Sequence, residues 1–209
     1  MDNQAALPDR NLTQMIALYR WKNDFPLFLR EYGRSRILTL KQGCFPVNEK
    51  PIKLETVLKH IAQAFPLVPL DPTDAFAGYG ETYLDAEDFF AGTRHKVWTA
   101  FEIGFLEFHQ EVLLFLSPKA FCSFLPAFLK ATAEYFEDSD MLPDFVISAL
   151  TRPDDAHGQS RFDAQIGPLT QKQSEAVAMT LAYCNQFFKT DTEENLAAGA
   201  LKSHWQQVL

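Results

Sequence analysis

Glycine and cysteine are the scarce residues of this chain. Nine glycines stand against nineteen phenylalanines, a balance that argues against a turn-rich β architecture and for thick aromatic packing. The three cysteines, Cys44, Cys122 and Cys184, are odd in number and far apart, so neither a paired-ligand zinc site nor a secreted disulfide framework is expected. Such thiols suit a reducing cytoplasm. No apolar run approaches the ~18 residues of a membrane span; the densest, Val112 to Leu116, is far too short. The opening Met1-Asp2-Asn3-Gln4 lacks the cationic start of an export signal. The expected location is therefore cytoplasmic, with no membrane partner.

Apolar mass, by contrast, is plentiful. With 47% hydrophobic and 22% charged residues in a length of 209, the chain can bury a core without staples, which excludes whole-chain disorder and collagen-like repetition. The net charge is −8, from 19 basic and 27 acidic side chains. Its distribution is uneven: residues 1–60 carry ten basic and six acidic side chains, whereas 61–209 carry nine and twenty-one. A basic, aromatic segment over 1–50 thus precedes an acidic body over 51–209. The acidic body repels phosphates and anionic lipid, so nucleic acid is not an expected partner, even though Arg20, Lys22, Arg30, Arg34 and Arg36 lie among aromatics.

Hydrophobic periodicity makes the chain mainly α, a compact multi-helix globular fold with at most a short strand pair near 37–45. Leu54, Val57, Leu58, Ile61 and Phe65 keep helical spacing over 52–65 with Lys53, Lys59 and Gln63 outside. The prolines between Phe65 and Pro72 forbid further helix, and this stretch is expected to be a buried apolar loop. Asp85 can cap a short helix through Phe89. A single helix is expected over 96–111, with Val97, Ala100, Phe101, Gly104, Phe105 and Phe108 on one face. Ser117-Pro118 starts a helix carrying Phe121, Phe124, Leu125, Phe128, Leu129, Thr132 and Phe136, with a kink expected from Pro126. A short helix comes next over Pro143 to Leu150. Pro153 to Ser160 is expected to be a mobile loop. Thr170-Gln-Lys-Gln173 spells a capping box, and Asp191 and Glu194 a cap for a last helix whose Leu196, Ala197, Ala200, Leu201, His204 and Trp205 form an apolar stripe.

The strings Leu116-Ser-Pro-Lys-Ala-Phe121 and Phe124-Leu-Pro-Ala-Phe128, with Ile61-Ala-Gln-Ala-Phe65 upstream and Leu169-Thr-Gln-Lys-Gln173 downstream, resemble a family of uncharacterised bacterial proteins over roughly residues 54–189. The resemblance implies a helical fold and carries no assigned activity, so it nominates no active site.

Sites of chemistry are few. His109 between Glu107 and Glu111 has the wrong spacing for a helical metal site, since residues two apart point in different directions, and reads as a surface histidine. Asp138-Ser-Asp140 lacks the later glycine and acidic residue of a calcium loop, because Pro143 and Ala149 stand there. Gly78-Tyr-Gly80 is not followed by the glycine or lysine that would cradle a phosphate. Cys122, set in apolar sequence, reads as inert packing. Asp154, Asp155 and His157, near Arg152 and Arg161, form the one acid/base or metal alternative. No cofactor and no resident metal are expected.

Two acidic clusters remain. Glu134, Glu137, Asp138, Asp140 and Asp144 gather at the exit of the Ser117-Pro118 helix beside Tyr135, and Glu81, Asp85, Glu87 and Asp88 gather beside Tyr79 and Tyr83. Carboxylates can steer a basic partner and aromatics can anchor it. The function expected is thus non-catalytic binding of a basic protein, most concretely by an immunity-type inhibitor that neutralises a bacterial toxin or secretion-system effector by occluding its active site. The alternatives are an enzyme built on Asp154, Asp155 and His157, and a small adaptor that dimerises through the Leu196–Trp205 stripe.

Overall fold

The computed structural model of the chain describes residues 51–69, 89, 92–93, 95–114, 116–139, 141–188 and 195–208. The expected segment 1–50, its strand pair near 37–45, and the Asp85 and Asp191/Glu194 caps lie outside the described residues. What is described belongs to one unit, Lys50–Leu209, and is mainly helical, without a β-strand among the described residues.

Seven α-helices are described: α1 (Leu54–Ala64), α2 (Ile103–Phe108), α3 (Pro118–Glu134), α4 (Leu142–Ala149), α5 (Ala156–Ile166), α6 (Gln171–Asn185) and α7 (Leu196–Ser203). Three 3₁₀ turns accompany them, at Trp98–Ala100, Gln110–Leu114 and Trp205–Val208. The organising element is α3. Eleven of its seventeen residues are buried, and it packs against α1, α2, α4, α5, α6 and the first two 3₁₀ turns. A helix apolar on most of its circumference has to be a central one. Ser117 starts it by accepting from the Ala120 amide at 3.2 Å, with Pro118 in the first turn. Pro126 lies inside the helix; it has no N–H to give the Cys122 carbonyl, and its ring is buried among apolar neighbours instead.

Around α3 the amphipathic helices turn their apolar faces inward. In α1, Val57 and Ile61 are buried while Lys53, Lys59 and Gln63 stay exposed, and the helix packs chiefly on α6. The start of α6 is the capping box read from the sequence: Thr170 Oγ1 accepts from the Gln173 amide at 3.4 Å, and Gln173 Oε1 accepts from the Thr170 amide at 2.9 Å. Its other end holds the beginning of the unit, because the Gln186 carboxamide accepts from the Ile52 amide at 2.9 Å and donates to the Ile52 carbonyl at 3.4 Å.

The C-terminal stripe is core. Ala197, Ala200 and Trp205 have no exposed surface, α7 packs on α6 and α4, and the Trp205 indole donates to the Leu150 carbonyl at 2.7 Å. Full burial of a side chain of this kind contributes roughly 1.5–3 kcal/mol. A stripe consumed in this way is not a dimerisation face. The cap of α7 is Asn195, which accepts from the Ala198 amide at 2.9 Å.

Three further expectations are corrected. The helix over 96–111 is broken into the 98–100 turn, α2 and the 110–114 turn; side chains of α5 hold the last of these, Gln165 donating to the Leu113 carbonyl at 2.9 Å and Arg161 to that of Leu114. Pro153–Ser160 is not a loop throughout. Asp155 accepts from the Gly158 amide at 2.8 Å and starts α5 at Ala156. The proline-rich stretch is not buried as far as it is described: Phe65 is, but Leu67 and Val68 are 61% and 58% exposed.

Candidate functional site

Helix α3 ends at Glu134, and the turn beyond it is held in place by aromatic packing. Phe136 stacks against Phe187 and Phe188, at 5.1 and 5.6 Å between ring centroids, just beyond the end of α6. The backbone of the turn closes on itself, the Asp138 and Ser139 amides both donating to the Tyr135 carbonyl at 3.1 and 2.9 Å. With Phe136 anchored inward, Tyr135, Glu137 and Asp138 are exposed. Glu137 also acts on α6: burial, then the neighbouring Cys184 and Glu137, push the Tyr183 phenol above its ordinary value.

Beside this turn lies a cleft of about 340 Å³, at the small end of ligand pockets, which run from roughly 300 to 1,000 Å³. One wall is the α3 face with Ala127, Lys130, Ala131, Glu134 and then Tyr135; the other is Trp98, Phe101, Glu102, Ile103 and Leu106. Lys130 Nζ donates to Glu134 Oε2 at 2.6 Å, one helical turn on. Lys96 extends over the Phe101 and Phe105 rings at 5.9 and 5.8 Å, within cation–π range. The Trp98 indole nitrogen is buried and has no hydrogen-bond partner.

Of the acidic residues expected to bind a partner, Glu134, Glu137 and Asp138 therefore lie together with Tyr135 at one turn, while Asp144 is exposed in the first turn of α4. Asp140 and the second cluster, Glu81, Tyr83, Asp85, Glu87 and Asp88 with Tyr79, lie outside the described residues. Trp98, Phe101, Glu102 and Lys130 were not singled out by the sequence. They come from elements about thirty residues apart, and the i, i+4 spacing of Lys130 and Glu134 is the one signal in the sequence that could have marked any of them.

Of the residues of the enzyme alternative, Asp155 accepts from the Gly158 amide and caps α5, and Asp154 and His157 are exposed. The nearest titratable cluster is built from other residues. Arg152 holds Asp163 with Nε and Nη2 at 3.0 and 2.8 Å, and this fork keeps the Asp163 carboxyl below its ordinary value. His204 sets its ring edge-on to Phe162 and Trp205, at 5.4 and 4.9 Å, and burial lowers its pKa, Asp163 opposing. The Ser203 hydroxyl, beside His204, accepts from the Arg152 amide at 3.1 Å and donates to the Ala200 carbonyl at 2.8 Å. That serine is occupied, and the cluster ties the C-terminal helix to the α4–α5 connection.

His109 is not on the surface. It is 4% exposed, and its ring packs against those of Phe89, Phe105 and Phe108 at 5.2, 4.7 and 4.8 Å. Cys122 is half-buried and Cys184 buried, and burial raises their thiols to about 11 and about 12, away from the thiolate a nucleophile needs.

Fold and site thus define an all-helical domain with an acidic turn beside an aromatic cleft. The chain belongs to a family of unknown function, DUF6714, whose model matches residues 53–209. No curated protein and no solved structure matches it. No helix among the described residues is long and apolar enough to cross a membrane.

Proposed function

We propose that the protein is a non-catalytic binder of a basic protein and that the turn Tyr135–Asp138 is its docking face. The supporting observation is the way this turn is held: Phe136 locked against Phe187 and Phe188, the backbone closed on Tyr135, and two carboxylates and a tyrosine turned outward. A rigid acidic and aromatic patch loses little entropy on binding and attracts a cationic surface over a Debye length. The finer reading is an immunity-type inhibitor in a bacterial cytoplasm, covering the basic active-site cleft of a toxin or effector.

The test is affinity capture from a native extract at low and moderate salt. A stoichiometric basic partner is expected, retained by a variant with Asp154→Lys and Glu175→Lys but lost with Glu137→Lys and Asp138→Lys, both folded to the wild-type Tm. Addition of the protein should silence that partner's activity at one equivalent. Capture that is equally sensitive to both pairs would reduce the effect to net charge and overturn the docking face; a partner that stays fully active when bound would overturn the inhibitor.

A further inference from the structure

We infer that the cleft between α3 and the Trp98–Leu106 segment is the anchor pocket for an arginine side chain of that basic partner, and that Lys130 is its resident competitor. The inference rests on the partner-binding reading and adds the chemistry of the central contact. The walls combine what a guanidinium requires. Phe101 and Tyr135 contribute aromatic rings to the lining and Glu102 and Glu134 carboxylates; Ile103, Leu106 and Ala127 contribute apolar surface for the methylene stem.

The molecule already uses these groups for cations of its own. Lys130 delivers an ammonium to Glu134 at 2.6 Å, and Lys96 lies over Phe101 at 5.9 Å. Both are long, flexible side chains, and Lys130 keeps 35% of its side chain exposed, so an incoming guanidinium can displace it into water at little cost. Lys supplies a point charge, whereas the planar fork of Arg engages a carboxylate with two hydrogen bonds and stacks on a ring at once. The exchange therefore favours the guest.

Trp98 lines the same cleft, and its indole N–H is buried without an acceptor, so its resonance is a reporter for what enters.

The probe is N-acetylarginine amide, titrated into isotope-labelled full-length protein while the Trp98 indole resonance is followed, with N-acetylcitrulline amide as the uncharged isostere. A saturable shift is expected with the arginine compound alone. Glu134→Gln should weaken it and Lys130→Met strengthen it, each by about fivefold, as a partly exposed ion pair allows. Thermal melts identify any variant that fails through unfolding, and Glu102→Gln supplies a second carboxylate variant away from the Lys130 pair. Equal binding of citrulline, or a Lys130→Met variant that binds more weakly, would overturn the inference. If capture of the protein partner survives Lys130→Met and Glu134→Gln unchanged while failing in the Glu137/Asp138 variant, the anchor pocket is wrong and the docking face stands. Arginine-selective shifts at Trp98 without any captured partner would instead overturn the partner reading and leave the pocket as a site for arginine-containing peptides.

Discussion

Two helical glycines show how a backbone can require one glycine and merely tolerate another. At Gly199, in the middle of α7 and exposed, a β-carbon would meet nothing within 4 Å. Gly199→Ala should therefore raise stability by about 0.5–1 kcal/mol through helix propensity alone. At Gly158 a β-carbon would lie 2.7 Å from both Asp155 Oδ2 and Pro153 Cβ, so the same substitution would push away the carboxylate that caps α5. A loss of about 1–2 kcal/mol is expected. Urea denaturation of the pair reads both signs. The cysteines give a second residue-scale expectation. With Cys122 raised to about 11 and Cys184 to about 12, alkylation of these two by iodoacetamide at pH 8 should be slow and should accelerate in step with unfolding, as peptide mass mapping would show.

At the scale of elements, legibility depended on whether a helix end is closed by its own neighbours or by distant ones. The Thr170–Gln173 box and the Ser117-Pro118 start are local, and both stand where the sequence put them. The helix expected over 96–111 is interrupted at Phe101–Glu102 and again at His109, and the 110–114 turn that follows is held by Arg161 and Gln165, about fifty residues further along. Gln165→Ala should cost about 1–3 kcal/mol, the penalty of a buried carbonyl losing its donor, and faster hydrogen exchange within 103–114 would show where. His109 reads from the sequence as a surface residue because part of the aromatic cage that buries it comes from Phe89, on another segment. Asp155 was legible as an acid and misread in role: Asp-x-x-Gly before an amphipathic run is a helix start as much as a pair of loop carboxylates. The acidic turn could be read from composition. The cleft beside it could not, because no periodicity joins Trp98 and Phe101 to Lys130.

For the whole molecule, charge and pH act in a definite order. His204 is held below its ordinary value of 6.5, mainly by burial, so the unfolded chain takes up a proton first as pH falls, and stability declines from just below 6.5 down to the folded value. Asp163 is held below its ordinary 3.8 by the Arg152 fork; its contribution is whole at neutral pH and is lost only as the pH falls through the folded value. Thermal melts should therefore show a first loss as the pH falls through the ordinary histidine value of 6.5, which His204→Gln removes, and a second below the ordinary 3.8 of Asp163, which Arg152→Met reduces. The mean composition spoke against whole-chain disorder, yet it could not tell which ionisable groups the fold would shift.

The pairing of α1 with α6 bears on how the chain is made. These helices pack most extensively on each other, and the clasp between Ile52 and Gln186 spans 134 residues. On the ribosome, the apolar face of Val57, Ile61 and Phe65 therefore emerges long before the helix that covers it. Synthesis at about 5–20 residues per second leaves α1 without its chief partner for roughly 6 to 25 seconds, during which α3 alone is there to cover part of that face.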